Sequence, residues 1–227
     1  MRLATAFAMT LAAMPVAADP VVVELFTSQG CSSCPPADAL LGELAERDDV
    51  IALSLHVDYW DWIGWTDTFA TAGYTARQRA YAQAAGTSVV YTPQFVIAGT
   101  DQVAGPSAME LVSRISAHQG TTDDVLKAVT TGSGGTAIQA DAGGVPARLV
   151  LAELLPKATV QIGRGENAGR EVTYHNVVRD WTILADWDGS PTVMDLPEPA
   201  DGHYRVVLAQ SMADGAPGRV IGAVKLD

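Results

Sequence analysis

The sequence predicts an α/β unit built on parallel strands, over residues 19–131, followed by a smaller antiparallel β unit over residues 137–227. Three observations carry this. Two apolar runs, Val21–Phe26 and Val50–Val57, flank a segment of helical period. A glycine-rich stretch, Thr130–Thr136, interrupts the chain. Beyond it, the apolar residues alternate instead of recurring every third or fourth position.

Val21–Phe26 is apolar on both faces except at Glu24, as in a strand covered by helices on both sides. Pro35 and Pro36 suit the first turn of a helix, where a missing amide donor costs least. Ala37, Leu40, Leu41 and Leu44 then form an amphipathic stripe that ends near Asp48-Asp49. A helix between two buried strands is a βαβ unit, so the strands are expected to be parallel. The next helix is predicted over residues 66–85, with Phe69, Gly73, Ala76 and Ala80 on one face. Tyr91–Gly99 reads as a loop and strand, with Asp101–Ala104 pairing beside it. Ala108, Leu111, Val112 and Ile115 mark another helix, and Val125, Leu126 and Val129 a shorter one. Residues 132–136 read as a linker. After it, residues 147–154, 159–162, 172–178 and 204–209 are strand candidates separated by Gly, Pro, Asn and Asp, as in a small antiparallel sandwich.

Residues 1–18 read as a secretory signal, with Arg2, an apolar stretch and a small-residue cleavage site at Val16-Ala17-Ala18. Export to a periplasm or to the outside is expected, where disulfides persist. The net charge of −12 and a pI near 4.6 argue against a nucleic-acid partner and against anionic membrane surfaces. No membrane association beyond the export signal is expected.

The chain has two cysteines, Cys31 and Cys34, placed where the first strand turns into the first helix. Such a dithiol suits thiol–disulfide exchange. A structural bridge is an alternative, although a loop this short gains only about 2 kcal/mol from closure. A metal site is another, since thiolates with imidazole suit Cu(I) or zinc, but His56, His118, His175 and His203 lack paired spacing. In the exchange reading, Cys31 is expected to be exposed at the helix N-terminus. Free amides and the helix dipole would lower its pKa there. Cys34, one turn in, would then resolve the mixed disulfide.

Strand, Cys-x-x-Cys, helix, strand, helix and a Thr-Pro before the next strand resemble the thioredoxin fold. More specifically, Glu24-Leu25-Phe26-Thr27-Ser28-Gln29-Gly30-Cys31-Ser32-Ser33-Cys34-Pro35-Pro36-Ala37-Asp38 resembles the signature of DUF1223, a family of exported bacterial proteins of unknown function. His56-Val57-Asp58-Tyr59-Trp60-Asp61, Arg77-Gln78, Tyr91-Thr92-Pro93-Gln94, Gly163–Arg170 and His175-Asn176-Val177-Val178 are similar to the rest of that pattern. The resemblance implies a thioredoxin-like domain with a cis Pro93 opposite the dithiol. It also makes Glu24 a candidate for relaying the resolving thiol's proton, against a structural acid bonded to a neighbouring helix or loop. Thr92, Trp60 and Tyr59 are the candidate substrate contacts. The aromatics after His56 either line a groove or cap the core. Arg164, Glu166 and Asn167 either form a hairpin tip or reach over the dithiol.

The function expected is an exported thiol–disulfide oxidoreductase that needs no cofactor. It would exchange with a disulfide-containing protein or small thiol and with a further redox partner. The alternatives are a periplasmic copper- or zinc-binding protein and a redox-inert binding module with a structural disulfide.

Overall fold

A computed structural model describes residues 20–143 and 145–226. The expected signal, residues 1–18, lies outside the described residues. Among the described residues, no helix is long and apolar enough to cross a membrane.

The strands are β1 (Val21–Thr27), β2 (Val50–His56), β3 (Gln94–Ile97), β4 (Asp101–Ala104), β5 (Leu126–Thr130), β6 (Thr136–Ala140), β7 (Ala147–Gln161), β8 (Glu171–Trp187), β9 (Thr192–Asp195), β10 (Tyr204–Ala213) and β11 (Ala216–Leu226). The helices are α1 (Pro35–Ala45), α2 (Ala72–Ala84) and α3 (Ala108–Ala117). The result is a mixed α/β architecture dominated by strands.

Eight strands form one sheet in the order β11-β10-β7-β8-β2-β1-β3-β4. As expected, β1 and β2 are parallel, while β3 pairs antiparallel with both β1 and β4. Alternation along β1 sorts its side chains between two cores. Val21, Val23 and Leu25 pack with Leu41 and Leu44 of α1 and with Leu111 and Ile115 of α3. Val22 and Phe26 face Tyr74 and Tyr81 of α2, where Leu154, Val206, Leu208 and Val220 from the later strands join the same cluster.

From residue 125 onward the chain departs from expectation in four ways. Residues 147–161 and 171–187 are each one long strand, and together they form a hairpin that joins the first sheet through the parallel pair Ser54–Val177. The antiparallel strands therefore extend the first sheet, and a three-stranded sheet (β5-β6-β9) packs on them through Leu126, Ile138, Leu149, Val207 and Ile221. The expected linker 132–136 is a hairpin turn between β5 and β6, closed by Thr131 N–H to Gly135 O at 2.8 Å. The helix expected around Val125, Leu126 and Val129 is strand β5. Asp124 has φ +47 and breaks any helical run, and pairing with β6 decides a short apolar pattern that fits either period.

The second helix also starts later than residue 66. Thr71 is extended (φ −138) and caps α2 by accepting from the Tyr74 amide. Residues 66–71 are thereby left as a loop that turns Asp67 and Phe69 into the core beside His56.

Candidate functional site

β1 ends at Thr27, and a tight turn carries the chain to α1. The Cys31 amide donates to Ser28 O at 3.1 Å, and the Cys34 amide donates to Cys31 O at 3.2 Å. Cys31 and Cys34 are joined as a disulfide with Cα atoms 5.4 Å apart. Ser32 and Ser33, between them, are exposed.

Two expectations about the sulfurs fail. Cys31 is not exposed: it is 1% accessible, and Cys34 is 0%. Nor do free helix amides face Cys31. Cys34, rather than Cys31, is the N-cap of α1. Pro35 and Pro36 have no amide hydrogen, and the Ala37 and Asp38 amides both donate to Cys34 O. The polar neighbour of Cys31 Sγ is instead Ser33 Oγ at 3.4 Å.

A contact with the dithiol turn comes from far along the chain. At the tip of the β7–β8 hairpin, residues 162–170 form a compact loop closed by Ile162 N–H to Arg170 O and Gly169 N–H to Ile162 O. Asn167 is buried in that loop, and its side-chain amide donates to Gln29 O at 2.9 Å and Cys31 O at 2.8 Å. Of the three residues considered as a cover, Asn167 reaches the dithiol turn, while Arg164 and Glu166 are exposed. Gln29 links several of these pieces. Its amide donates to Asp67, its side chain donates to Thr68, and its Oε1 accepts from Trp65 Nε1 at 2.8 Å.

The expected substrate contacts stand beside the dithiol. The Thr92–Pro93 peptide is cis. Thr92 O accepts from Ser33 Oγ at 3.4 Å, and Thr92 Oγ1 accepts from Trp60 Nε1 at 2.8 Å. Tyr59 is half-buried against Trp60, with ring centroids 6.0 Å apart. Trp60 and Trp65 thus brace the site, whereas Trp62 is 81% exposed.

Glu24 lies elsewhere. It faces α2, on the side of the sheet opposite α1. Its carboxylate accepts from Arg77 Nε (2.6 Å), Arg77 Nη2 (2.8 Å) and Tyr81 Oη (2.5 Å). Three donors occupy both oxygens, which is the structural-acid alternative. Arg77 also donates to Gln210 and stacks over Trp181 at 4.2 Å, so the later strands complete this buried network. His175 packs its ring against Gly42 of α1 and stands in a groove lined by Pro35, Glu43 and Arg170. Burial pushes its imidazole below the ordinary value.

The buried acid close to the dithiol is Asp38, one helical turn after Cys34. Burial pushes its carboxyl up to about 7, against the lowering influence of His56 and a 2.8 Å bond from Thr27 Oγ1. His56 is buried, and its Nδ1 lies 2.7 Å from Asp67 Oδ2. Burial alone would raise Asp67, but His56 and the Gln29 and Phe69 amides outweigh it and hold Asp67 below the usual carboxylate range. Sequence reading missed Asp38, Gln29 and Asp67 as parts of the site. The available signal was Asp38 itself, an acid three residues before Leu41 on the apolar stripe of α1. Among the described residues, no three His, Cys, Asp or Glu side chains are grouped as metal ligands.

Comparison with known proteins places this geometry in a family. No protein of curated function matches the chain. The crystal structure of protein AGR_C_4864 from Agrobacterium tumefaciens is similar over 95% of this chain and 96% of its own, at 35% identity and a TM-score of 0.78. HBP35 of Porphyromonas gingivalis shares the fold at 15% identity and a TM-score of 0.58, over 92% of this chain and 74% of its own. The family model described as a protein of unknown function, DUF1223, matches residues 22–210, and the chain belongs to that family.

Proposed function

We propose that this protein is an exported thiol–disulfide exchange protein, with Cys31–Cys34 as its reactive pair and the 162–170 loop as a cover that must lift. The observation that carries the reading is how the cover is held. Asn167 fastens it to the dithiol turn through two hydrogen bonds to main-chain carbonyls, while Ile162 at its base is buried in the cluster that Trp65 packs against. Each such bond contributes about 1 kcal/mol net, so the Asn167 tie itself is readily broken. The sheet order β2-β1-β3-β4 with α1 and α3 on one face, and Pro93 beside the disulfide, support a thioredoxin-like reading of the first half.

In this reading Cys31 exchanges with the partner. Ser33, Thr92, Tyr59 and Trp60 then frame an incoming disulfide-containing protein or small thiol. A second redox partner resets the pair, and the expected signal at residues 1–18 delivers the chain to the periplasm or the outside. A Cys34→Ser variant, which leaves Cys31 free, should capture substrates as mixed disulfides from a periplasmic extract. An empty trap, with no reduction of a reporter disulfide, counts against the proposal.

The burial of both sulfurs favours a second reading, a structural bridge in a binding module. Thiol trapping in glutathione buffers separates the two. A potential well below about −300 mV without turnover belongs to a structural bridge.

A further inference from the structure

Beneath the dithiol turn lies a group of buried ionisable side chains that exchange at Cys31 does not by itself use. Asp38 and Cys34 are four residues apart at the start of α1, a spacing that places side chains on one helix face. Asp38 Oδ1 accepts from Thr27, but Oδ2 is buried with no hydrogen-bond partner. His56, from the end of β2, spends Nδ1 on Asp67 and leaves Nε2 buried and unpartnered. Tyr174 of β8 closes the group, its ring 4.8 Å from the His56 ring. Asp38 is thus faced by Thr27 from β1, His56 from β2, Asp67 from the following loop and Tyr174 from β8. A buried polar atom without a partner costs about 1–3 kcal/mol, and here there are two in one place.

Opening the Cys31–Cys34 bond creates a demand for a proton at this spot. A reductant thiolate attacks Cys31 Sγ, a new S–S bond forms, the old one breaks, and its electron pair departs on Cys34 Sγ. Cys34 is fully buried, so a thiolate there would carry an uncompensated desolvation cost. Protonation removes that cost. A second reductant thiol then displaces Cys31, and two reductant thiols have become one disulfide. In the reverse direction, the Cys34 thiol must lose its proton as it attacks the mixed disulfide.

We propose that Asp38, held by Thr27 and backed by the His56–Asp67 pair, donates that proton to Cys34 and takes it back. The inference rests on the exchange reading above and names its proton-handling group. Burial holds the Asp38 carboxyl near 7, so both protonation states are within reach at neutral pH.

The test follows reduction of the oxidised full chain by dithiothreitol from pH 5 to 9, dividing each rate by the fraction of reductant present as thiolate. In the wild type the corrected rate should fall by about 10²-fold as pH rises, with a midpoint near that of Asp38. Asp38→Asn should be slow and flat throughout. Thr27→Val, which removes a bond favouring the carboxylate, should shift the midpoint to higher pH, and it keeps the inference testable if Asp38→Asn does not fold. Time-resolved infrared spectra should show a protonated carboxyl lost transiently as Cys34 is released in the wild type and not in Asp38→Asn. A flat wild-type profile, or Asp38→Asn with the wild-type profile, overturns the inference while leaving exchange at Cys31 standing. A pH-dependent profile with no captured substrate removes the exchange function instead. A folded wild type that resists reduction altogether removes both.

Discussion

Asn167 donates to the main-chain carbonyl of Cys31 at 2.8 Å, across 136 residues of chain. This contact ties the tip of the β7–β8 hairpin to the dithiol turn, and in the proposed reading it makes a residue remote in sequence the limit on access to the sulfur. Removing the side chain should therefore act on access before it acts on the fold.

Asn167→Ala loses both donations, to Gln29 O and to Cys31 O, at about 1 kcal/mol each. Reduction by a water-soluble phosphine should accelerate by about tenfold or more, as each 1.4 kcal/mol is a factor of ten. Alkylation and mass measurement at timed intervals read the rate, and circular dichroism should be unchanged. An unaltered rate would mean that the loop does not limit access.

Glu24 and Arg77 form a bidentate pair with Glu24 fully buried. Removing one partner of such a pair leaves a buried charge uncompensated, at about 3–5 kcal/mol. Glu24→Gln should lower the urea midpoint accordingly, and Glu24→Leu combined with Arg77→Met should recover much of the loss. Because Glu24 faces α2 rather than the dithiol, Glu24→Gln should leave the pH profile of disulfide reduction where it is. A shifted profile would restore the proton-relay role considered for it from sequence.

What the sequence made legible follows from the range of the interactions involved. The β1–α1–β2 order, the α1 stripe and the dithiol turn are local patterns, and they stand where read. For Glu24 the sequence left two readings open, because its partners Arg77 and Tyr81 lie on α2 and are backed by Gln210 from β10, both far along the chain. Between a hairpin tip and a reach over the dithiol, the sequence left Gly163–Arg170 undecided, since only the pairing of β7 with β8, and of β8 with β2, carries Asn167 to residue 31. Strand β5 and the hairpin at 132–136 were misread because five residues with three apolar positions fit either period until β6 pairs with them.

The buried acids predict how stability varies with pH. Asp38 has a folded pKa of about 7 against an ordinary value of 3.8. Below about pH 4 it is protonated in both states and adds no penalty. Between those values the folded chain holds a proton that the unfolded chain has released, so stability falls as pH rises, by up to a few kcal/mol in all. Asp67 runs the opposite way, since its carboxyl is held low in the fold and its contribution is lost as pH falls through that folded value. Asp38→Asn should flatten the decline between pH 4 and 7 and be the more stable form at pH 8. Urea unfolding at several pH values checks this, and a parallel decline in the variant would refute it.

Gly99 marks one of the joints where the two halves of the chain touch. It sits in the β3–β4 turn with φ +77, and an added Cβ would stand 2.2 Å from Gly218 O and 2.9 Å from Gln210 Nε2. Next to it, the Val220 amide donates to Ala98 O at 3.0 Å, joining this turn to β11. Left-handed backbone costs a non-glycine residue about 1–2 kcal/mol. The collision adds more, because Gly218 O is backbone and Gln210 is already bonded to Arg77 and Tyr81. Gly99→Ala should therefore destabilise by about 3 kcal/mol and speed hydrogen exchange at the Val220 amide. Gly86→Ala is the control, with φ +73 but open space around its Cβ, and should show the backbone cost alone. Equal losses in the two variants would mean that the joint is soft and that the halves are held together elsewhere.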